Sequence, residues 1–243
     1  MKDWLDWVPD QAAAVLDAGC NVGATVMALS ERGVARVEGV DINPAAIESA
    51  RARVNGRPGI AFRHASCDEL PFEDSTFDAI TCFEVIEHVP EQLRPAVFSE
   101  FHRVLKPGGR LILSVPHQGL FAWLDPENIR FHFPAAHRFA NRLAGGRGKE
   151  AGYEDQKHGV VFHHHFSVRE LLGLLGERFD VIEKRGGGLL LAPLGFWLRW
   201  PFYRRGKYDN ILCRLIEKMI EAEYRLRMPC GLSYGILIVA SKI

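Results

Sequence analysis

Short apolar runs alternate with stretches of helical periodicity through the first half of the chain. That rhythm predicts a parallel sheet wrapped by helices. Residues 14–17 read as a buried strand that ends in a loop, AGCNVG over residues 18–23. A helix follows, with Ala24, Met27, Ala28 and Leu29 on its apolar face. Residues 36–41 form a second strand, after which Pro44 suits the first turn of a helix reaching Ala52. Third and fourth strands fall at residues 60–64 and 77–83. A helix over 93–105 is broken by Lys106-Pro107-Gly108-Gly109, and a fifth strand follows at 110–115.

Beyond Pro116 the rhythm fails. Residues 117–165 are rich in aromatic, His and Gly residues, with a flexible-looking AGGRG stretch at 144–148. The pattern returns with a helix at 168–175 and a strand at 179–183. A second insertion then runs from Gly186 to about Gly231 and holds a helix near residues 211–227. Residues 234–240 end the chain on a strong strand.

Composition narrows the options. A chain of 243 residues, 47% hydrophobic and 25% charged, suits one α/β domain with insertions. Thirty basic residues balance thirty acidic ones, so no net field draws it to nucleic acid or anionic lipid. Five scattered cysteines without a CxxC pair point to reduced thiols in a cytoplasm. The first residues lack the apolar core of a signal peptide. The uncharged run 186–198 is interrupted by Gly and Pro and falls short of the roughly 18–20 apolar residues a membrane span needs.

The chemistry concentrates in the first half. A strand, a glycine loop and a helix, then a second strand ending in an acid, make a kit for an adenosine-containing ligand. The loop runs Gly19-x-x-x-Gly23, with Asn21 where a middle glycine might stand, which is poor spacing for a dinucleotide. Asp17 would repel a phosphate and suit the ammonium of an amino-acid moiety.

These residues resemble an ordered set of motifs. VLDAGCNVG (15–23) is similar to the first motif of the class I S-adenosylmethionine-dependent methyltransferases, and GVDIN (39–43) to their second-strand motif. LPFEDSTFD (70–78), EVIEHV (84–89) and LKPGG (105–109) resemble further segments of that family. The likeness covers roughly residues 13–116. It implies a Rossmann-like fold: a seven-stranded, mostly parallel sheet with an antiparallel last strand and helices on both faces. One such domain would carry insertions at about 117–165 and 186–231.

The resemblance also implies a cofactor, S-adenosylmethionine, with S-adenosylhomocysteine as product. Asp17, Gly19, Cys20, Asn21 and Gly23 would line its methionine and ribose side. Asp41 would bind the ribose hydroxyls and Ile42 would meet adenine. Ser66, Cys67 or Asp68 would take the place of an acid that meets the adenine amine. Phe83 and Glu84 would stand beside the sulfonium. Asn21 and Ser66 depart from the family pattern, though Asn tolerates positive φ better than most residues.

Methyl transfer from a sulfonium needs positioning above all, and a base only where the acceptor must lose a proton. Candidate bases are His88, His117 and the run His163, His164, His165. Glu84, Glu87 and His88 with a downstream His could instead hold a metal if their segment were helical. A similar set occurs in small-RNA 3′-end 2′-O-methyltransferases. The reading adopted is metal-free, because Glu-x-x-Glu-His is widespread in metal-free members.

The expected activity is transfer to a small, apolar acceptor, through oxygen, with no nucleic-acid partner. A metal-dependent RNA 2′-O-methyltransferase and a non-catalytic S-adenosylmethionine-binding protein are the alternatives. The two insertions would build the acceptor site or a lid. Residues 189–205, apolar and aromatic beside arginines, suit a lid, a dimer surface, a transient membrane-surface contact or a helix packed on the protein's own core.

Overall fold

The computed structural model describes residues 3–125, 139, 163–203, 210–226 and 228–243. Its strands are β1 (Ala14–Ala18), β2 (Arg36–Asp41), β3 (Ile60–His64), β4 (Phe77–Phe83), β5 (Leu105–Pro116), β6 (Phe179–Gly187) and β7 (Gly235–Lys242). The helices are α1 (Ala24–Glu31), α2 (Pro44–Val54), α3 (Arg94–Val104), α4 (Val168–Leu175), α5 (Leu191–Tyr203) and α6 (Ile211–Arg225). Most of the first expected insertion, with its 144–148 stretch, lies outside the described residues.

One seven-stranded sheet has the order β3-β2-β1-β4-β5-β7-β6. Pairing is parallel from β3 through β5, and β7 is antiparallel to both its neighbours. Alternate strand residues feed two cores. Leu16, Ile80, Leu111 and Leu113 pack with Phe98 and Phe101 of α3 and Leu171 of α4. Val15, Ala79 and Ile112 pack with Val26 and Leu29 of α1 and Ile47 of α2. This is the expected fold, with helices on both faces.

The motifs recognised in the sequence hold the sheet together. Asp78 accepts the N–H groups of Ala13 and Ala14, each at 2.9 Å, and the Lys106 ammonium at 2.6 Å. It thereby ties the starts of β1 and β5 to β4. Arg103 donates to the carbonyls of Leu70 and Phe72 and to Glu100 and Asp74, fixing the LPFED segment.

Three boundaries differ from the sequence pattern. Lys106-Pro107-Gly108-Gly109 does not stand outside the sheet: β5 starts at Leu105, which pairs with Phe77, and a bulge absorbs the turn. β6 continues to Gly187, because its last residues stay paired with the start of β7. Residues 191–203 form a helix despite Pro193, Gly195 and Pro201. Its first N–H groups need acceptors, and Glu223 of α6 supplies them to Leu189, Leu190 and Leu191 at 2.9–3.1 Å. Gly195 lets α5 approach α6 closely, since a Cβ there would stand 2.6 Å from Ile220 Cδ1.

Candidate active site

The loop after β1 turns on three left-handed residues, Gly19 (φ 78°), Asn21 (φ 46°) and Gly23 (φ 80°). Asn21 thus takes up the conformation that its replacement of glycine demands. Gly19 is doubly constrained, because a Cβ would lie 2.2 Å from Val85 Cγ2. At the end of β2, Asp41 accepts the N–H of Asn21 on Oδ2 and that of Asn43 on Oδ1, both at 2.8 Å. A carboxylate oxygen accepts more than one hydrogen bond, so capacity for hydroxyls remains. Among the described residues no side chain caps the amino end of α1, which leaves backbone donors beside the loop.

Asp17 sits under this loop, 3% exposed, with the Thr81 hydroxyl donating to Oδ1 at 2.8 Å. Burial pushes its pKa up to about 7; the Thr81 bond opposes this and the Asp41 charge adds to it. A cation placed here would restore the carboxylate. Burial likewise pushes the Cys20 thiol up, helped by Asp17 and Asp41, so Cys20 is wall rather than nucleophile. Ile42 is half-buried at the end of β2. Ser66 donates its hydroxyl to Asp68, and Cys67 packs partly buried against the core.

Phe83 and Glu84 end β4. Trp4, from the short turn Asp3–Trp7, meets Phe83 edge-on with centroids 4.9 Å apart. The segment before β1 therefore reaches the crevice. Glu84 has φ 55° and accepts the Ser114 hydroxyl at 2.7 Å. It keeps accessible surface along the crevice, yet protein packed about its carboxyl raises its pKa, against the lowering pulls of Ser114 and His163. The adjoining recess is walled by Trp4, Glu84, Ser114, Tyr224, Ile236 and Leu237.

The histidines divide. His163 and His165 converge on Asp125, with Nε2 atoms 3.2 and 3.0 Å from Oδ2. The ring of His88 lies 5.4 Å from that of His163. His164 turns aside to Glu170 at 3.1 Å and packs edge-on against Phe166. His117 is buried, its Nδ1 3.1 Å from the Ser233 carbonyl. Glu84, Glu87 and His88 do not converge as a helical ligand set: the backbone is left-handed at Glu84, and only Ile86–His88 forms a helical turn.

Sequence reasoning missed Asp125 and Tyr234. Tyr234 donates its hydroxyl to Asp125 Oδ2 at 2.5 Å. Asp125 lies in the aperiodic stretch after β5, where a lone Leu-Asp-Pro reads as a turn. The donor-rich surroundings that mark it come from positions up to 109 residues away.

Known proteins agree with this architecture. The sequence profile of the family described as "Methyltransferase domain" matches residues 16–113. The chain is 32% identical over 165 residues to the "Ubiquinone biosynthesis O-methyltransferase" of Pseudomonas aeruginosa (strain UCBPP-PA14), a match covering 62% of this chain and 70% of that protein. A SAM-dependent methyltransferase structure from Methanosarcina mazei superposes with a TM-score of 0.60 at 24% identity, over 98% of this chain and 96% of that one. A geranyl diphosphate methyltransferase in complex with SAM gives 0.59 at 22%, over 100% and 84%. The chain belongs to the class I S-adenosylmethionine-dependent methyltransferases. It is an enzyme of that class, and its cofactor is S-adenosylmethionine. The donor set fits that group: a buried, cation-seeking carboxyl at Asp17, a glycine loop that a Cβ would block, and an acid at the end of β2.

Proposed function

We propose that this enzyme methylates an oxygen of a small, apolar acceptor. The observation that carries the reading is the recess beside Glu84, walled by Trp4, Tyr224, Ile236 and Leu237 with Glu84, Ser114 and Arg185 as its polar residues. Mostly apolar walls with a few convergent polar groups suit a small organic molecule. The relatives named for ubiquinone biosynthesis O-methylation support the acceptor atom and its apolar character.

In this reading Asp17 takes the cofactor's ammonium, while Gly19, Cys20, Asn21 and Gly23 line its methionine and ribose side. Asp41 takes the ribose hydroxyls. Ile42, Ser66 and Cys67 border the adenine, and Phe83 and Glu84 flank the sulfonium. When bound, the cofactor supplies an electrophilic methyl group with a neutral thioether as leaving group. The protein aligns the acceptor oxygen with that methyl and receives its proton. His163 and His165 are the basic groups for that role, with His88 beside them, and His164 is assigned a supporting role at Glu170. Helices α5 and α6 close the acceptor side.

The test is a transfer screen with labelled donor against hydroxylated small molecules, lipids and RNA. Label in a small extractable product is expected. Label confined to RNA, or in none of the pools, would overturn the reading.

A further inference from the structure

We propose that Asp125, His163 and His165 form a binding site for one first-row divalent transition cation of the Zn²⁺ or Co²⁺ kind. Each offers one ligand atom, and all three atoms lie within 4.8 Å of one another. The side chains are buried, with 4%, 8% and 6% exposed. Two ligands of a tetrahedral ion bound at about 2.0–2.1 Å stand roughly 3.3 Å apart. The Nε2-to-Oδ2 separations, 3.2 Å for His163 and 3.0 Å for His165, are close to that spacing. Two imidazoles and a carboxylate favour transition ions over Mg²⁺.

The orientation of His165 points the same way. Its Nδ1 lies 3.0 Å from the His117 carbonyl oxygen. A carbonyl only accepts, so Nδ1 carries a proton. In a neutral ring Nε2 is then a lone pair aimed at a carboxylate oxygen, an arrangement that calls for a cation between them. A ligating histidine that donates its other N–H to a backbone carbonyl is the usual support of a metal site. The Gln118 side chain donates to the His165 carbonyl at 2.8 Å, and the Tyr234 hydroxyl orients Asp125.

The neighbourhood supplies a second, independent observation. Glu87 is 1% exposed, and among the described residues its Oε2 has no hydrogen-bond partner. It stands beside the cluster: its backbone carbonyl accepts the His164 N–H at 3.1 Å, and its Oε1 lies 3.9 Å from His88 Nε2. Three protein ligands also leave a coordination position for water or an acceptor oxygen, as in catalytic rather than closed structural sites. With the ion bound, the proton-accepting role passes from His163 and His165 to His88, whose ring lies 5.4 Å from that of His163. The competing arrangement is a buried imidazolium–carboxylate cluster.

The experiment needs no acceptor and no methyl transfer, so it stands apart from the function proposed above. The full-length protein is stripped with chelator, dialysed and titrated with Co²⁺ while visible absorption is recorded. One equivalent should develop ligand-field bands that Zn²⁺ then abolishes. Sulfur-to-cobalt charge transfer should be absent, which separates this site from the five cysteines. Affinity should fall at least about a hundredfold in His165→Ala and Asp125→Asn, and roughly tenfold in Tyr234→Phe, whose residue only orients a ligand. Circular dichroism checks that each variant is folded. Failure of the wild-type protein to bind Co²⁺, thiolate bands, or undiminished affinity in folded His165→Ala would overturn the proposal and leave the protonated cluster in its place.

Discussion

Asp17 and Asp125 are equally buried, at 3% exposure each, yet their carboxyls behave oppositely. Among the described residues Asp17 has one side-chain donor, Thr81, and burial raises its pKa to about 7. Burial alone would raise that of Asp125 too. There the bonds to His163, His165 and Tyr234 outweigh it and hold the carboxyl below the usual range. Equal desolvation therefore does not set the outcome; the local supply of donors does. The loop after β1 keeps its carboxyl short of partners, as suits a site whose cation arrives with the ligand. The cluster after β5 surrounds its carboxyl with groups of the chain itself, Tyr234 and two imidazoles that either donate to it when protonated or share a bound ion with it.

The largest effect that would sharpen this contrast is expected at Asp125. Replacing it with Asn in chelated protein leaves two buried imidazoles facing a group without charge, a change of about 3–5 kcal/mol in stability. Urea unfolding measures it. A loss below about 1 kcal/mol would mean that the cluster is held by its surroundings rather than by the carboxylate.

Next comes the loop itself. Gly19→Ala forces a side chain into left-handed backbone and toward Val85. Strain and overpacking together should remove about 2–4 kcal/mol, seen as a lower Tm, and weaken S-adenosylhomocysteine binding. Unchanged stability would show that the loop adapts and that Gly19 is not dictated by geometry.

Asp17→Asn should lose about 1–3 kcal/mol of S-adenosylhomocysteine affinity by calorimetry. The ligand-free protein should lose no stability at pH 8, because the desolvated charge is gone. The native pKa of Asp17 lies above its ordinary value of 3.8, so between pH 4 and 7 the folded chain holds a proton that the unfolded chain has released. Its contribution to stability therefore falls as pH rises through that window and is level above it. Asp125 is lowered, so its contribution is present above the ordinary pKa of 3.8 and is lost as pH falls below it. An ammonium beside Asp17 favours the ionised form, and binding should be roughly tenfold weaker at pH 6 than at pH 8. A flat profile would remove Asp17 from the ammonium role.

The same two regions divide what the sequence discloses. Strands β1 to β5 are local objects: each is a short apolar run bounded by turn residues, so periodicity finds them. The loop after β1 is equally local, since Gly19, Asn21 and Gly23 announce positive φ. The Asp125 cluster is assembled from four distant positions, and no spacing links Asp125 with Tyr234. The Glu84 to His88 segment reads as a helical ligand set only while a helix is assumed, and the left-handed Glu84 removes that premise. Helix α5 is hidden for a similar reason. Pro193, Gly195 and Pro201 argue against it locally, while its terminal acceptor, Glu223, belongs to α6.

The smallest predicted effect probes how α5 is coupled to the cluster. The Trp197 indole donates to the Leu124 carbonyl at 2.8 Å, one residue before Asp125. Trp197→Phe keeps an aromatic ring in place and deletes that donor. The loss should be about 0.5–1.5 kcal/mol, a shift of a few degrees in Tm. Leu124 is also held by its own turn, where its N–H donates to the Phe121 carbonyl at 3.0 Å. The turn should therefore loosen rather than unfold. If α5 positions the acceptor side through this bond, the acceptor KM should rise while S-adenosylhomocysteine affinity stays constant, because among the described residues no hydrogen bond joins the loop after β1 to Trp197 or Leu124. A parallel loss of cofactor affinity would mean that the two regions are not separable, and that α5 braces the whole carboxyl edge of the sheet. Unchanged KM with lowered Tm would reduce α5 to packing, its apolar face serving α6 alone.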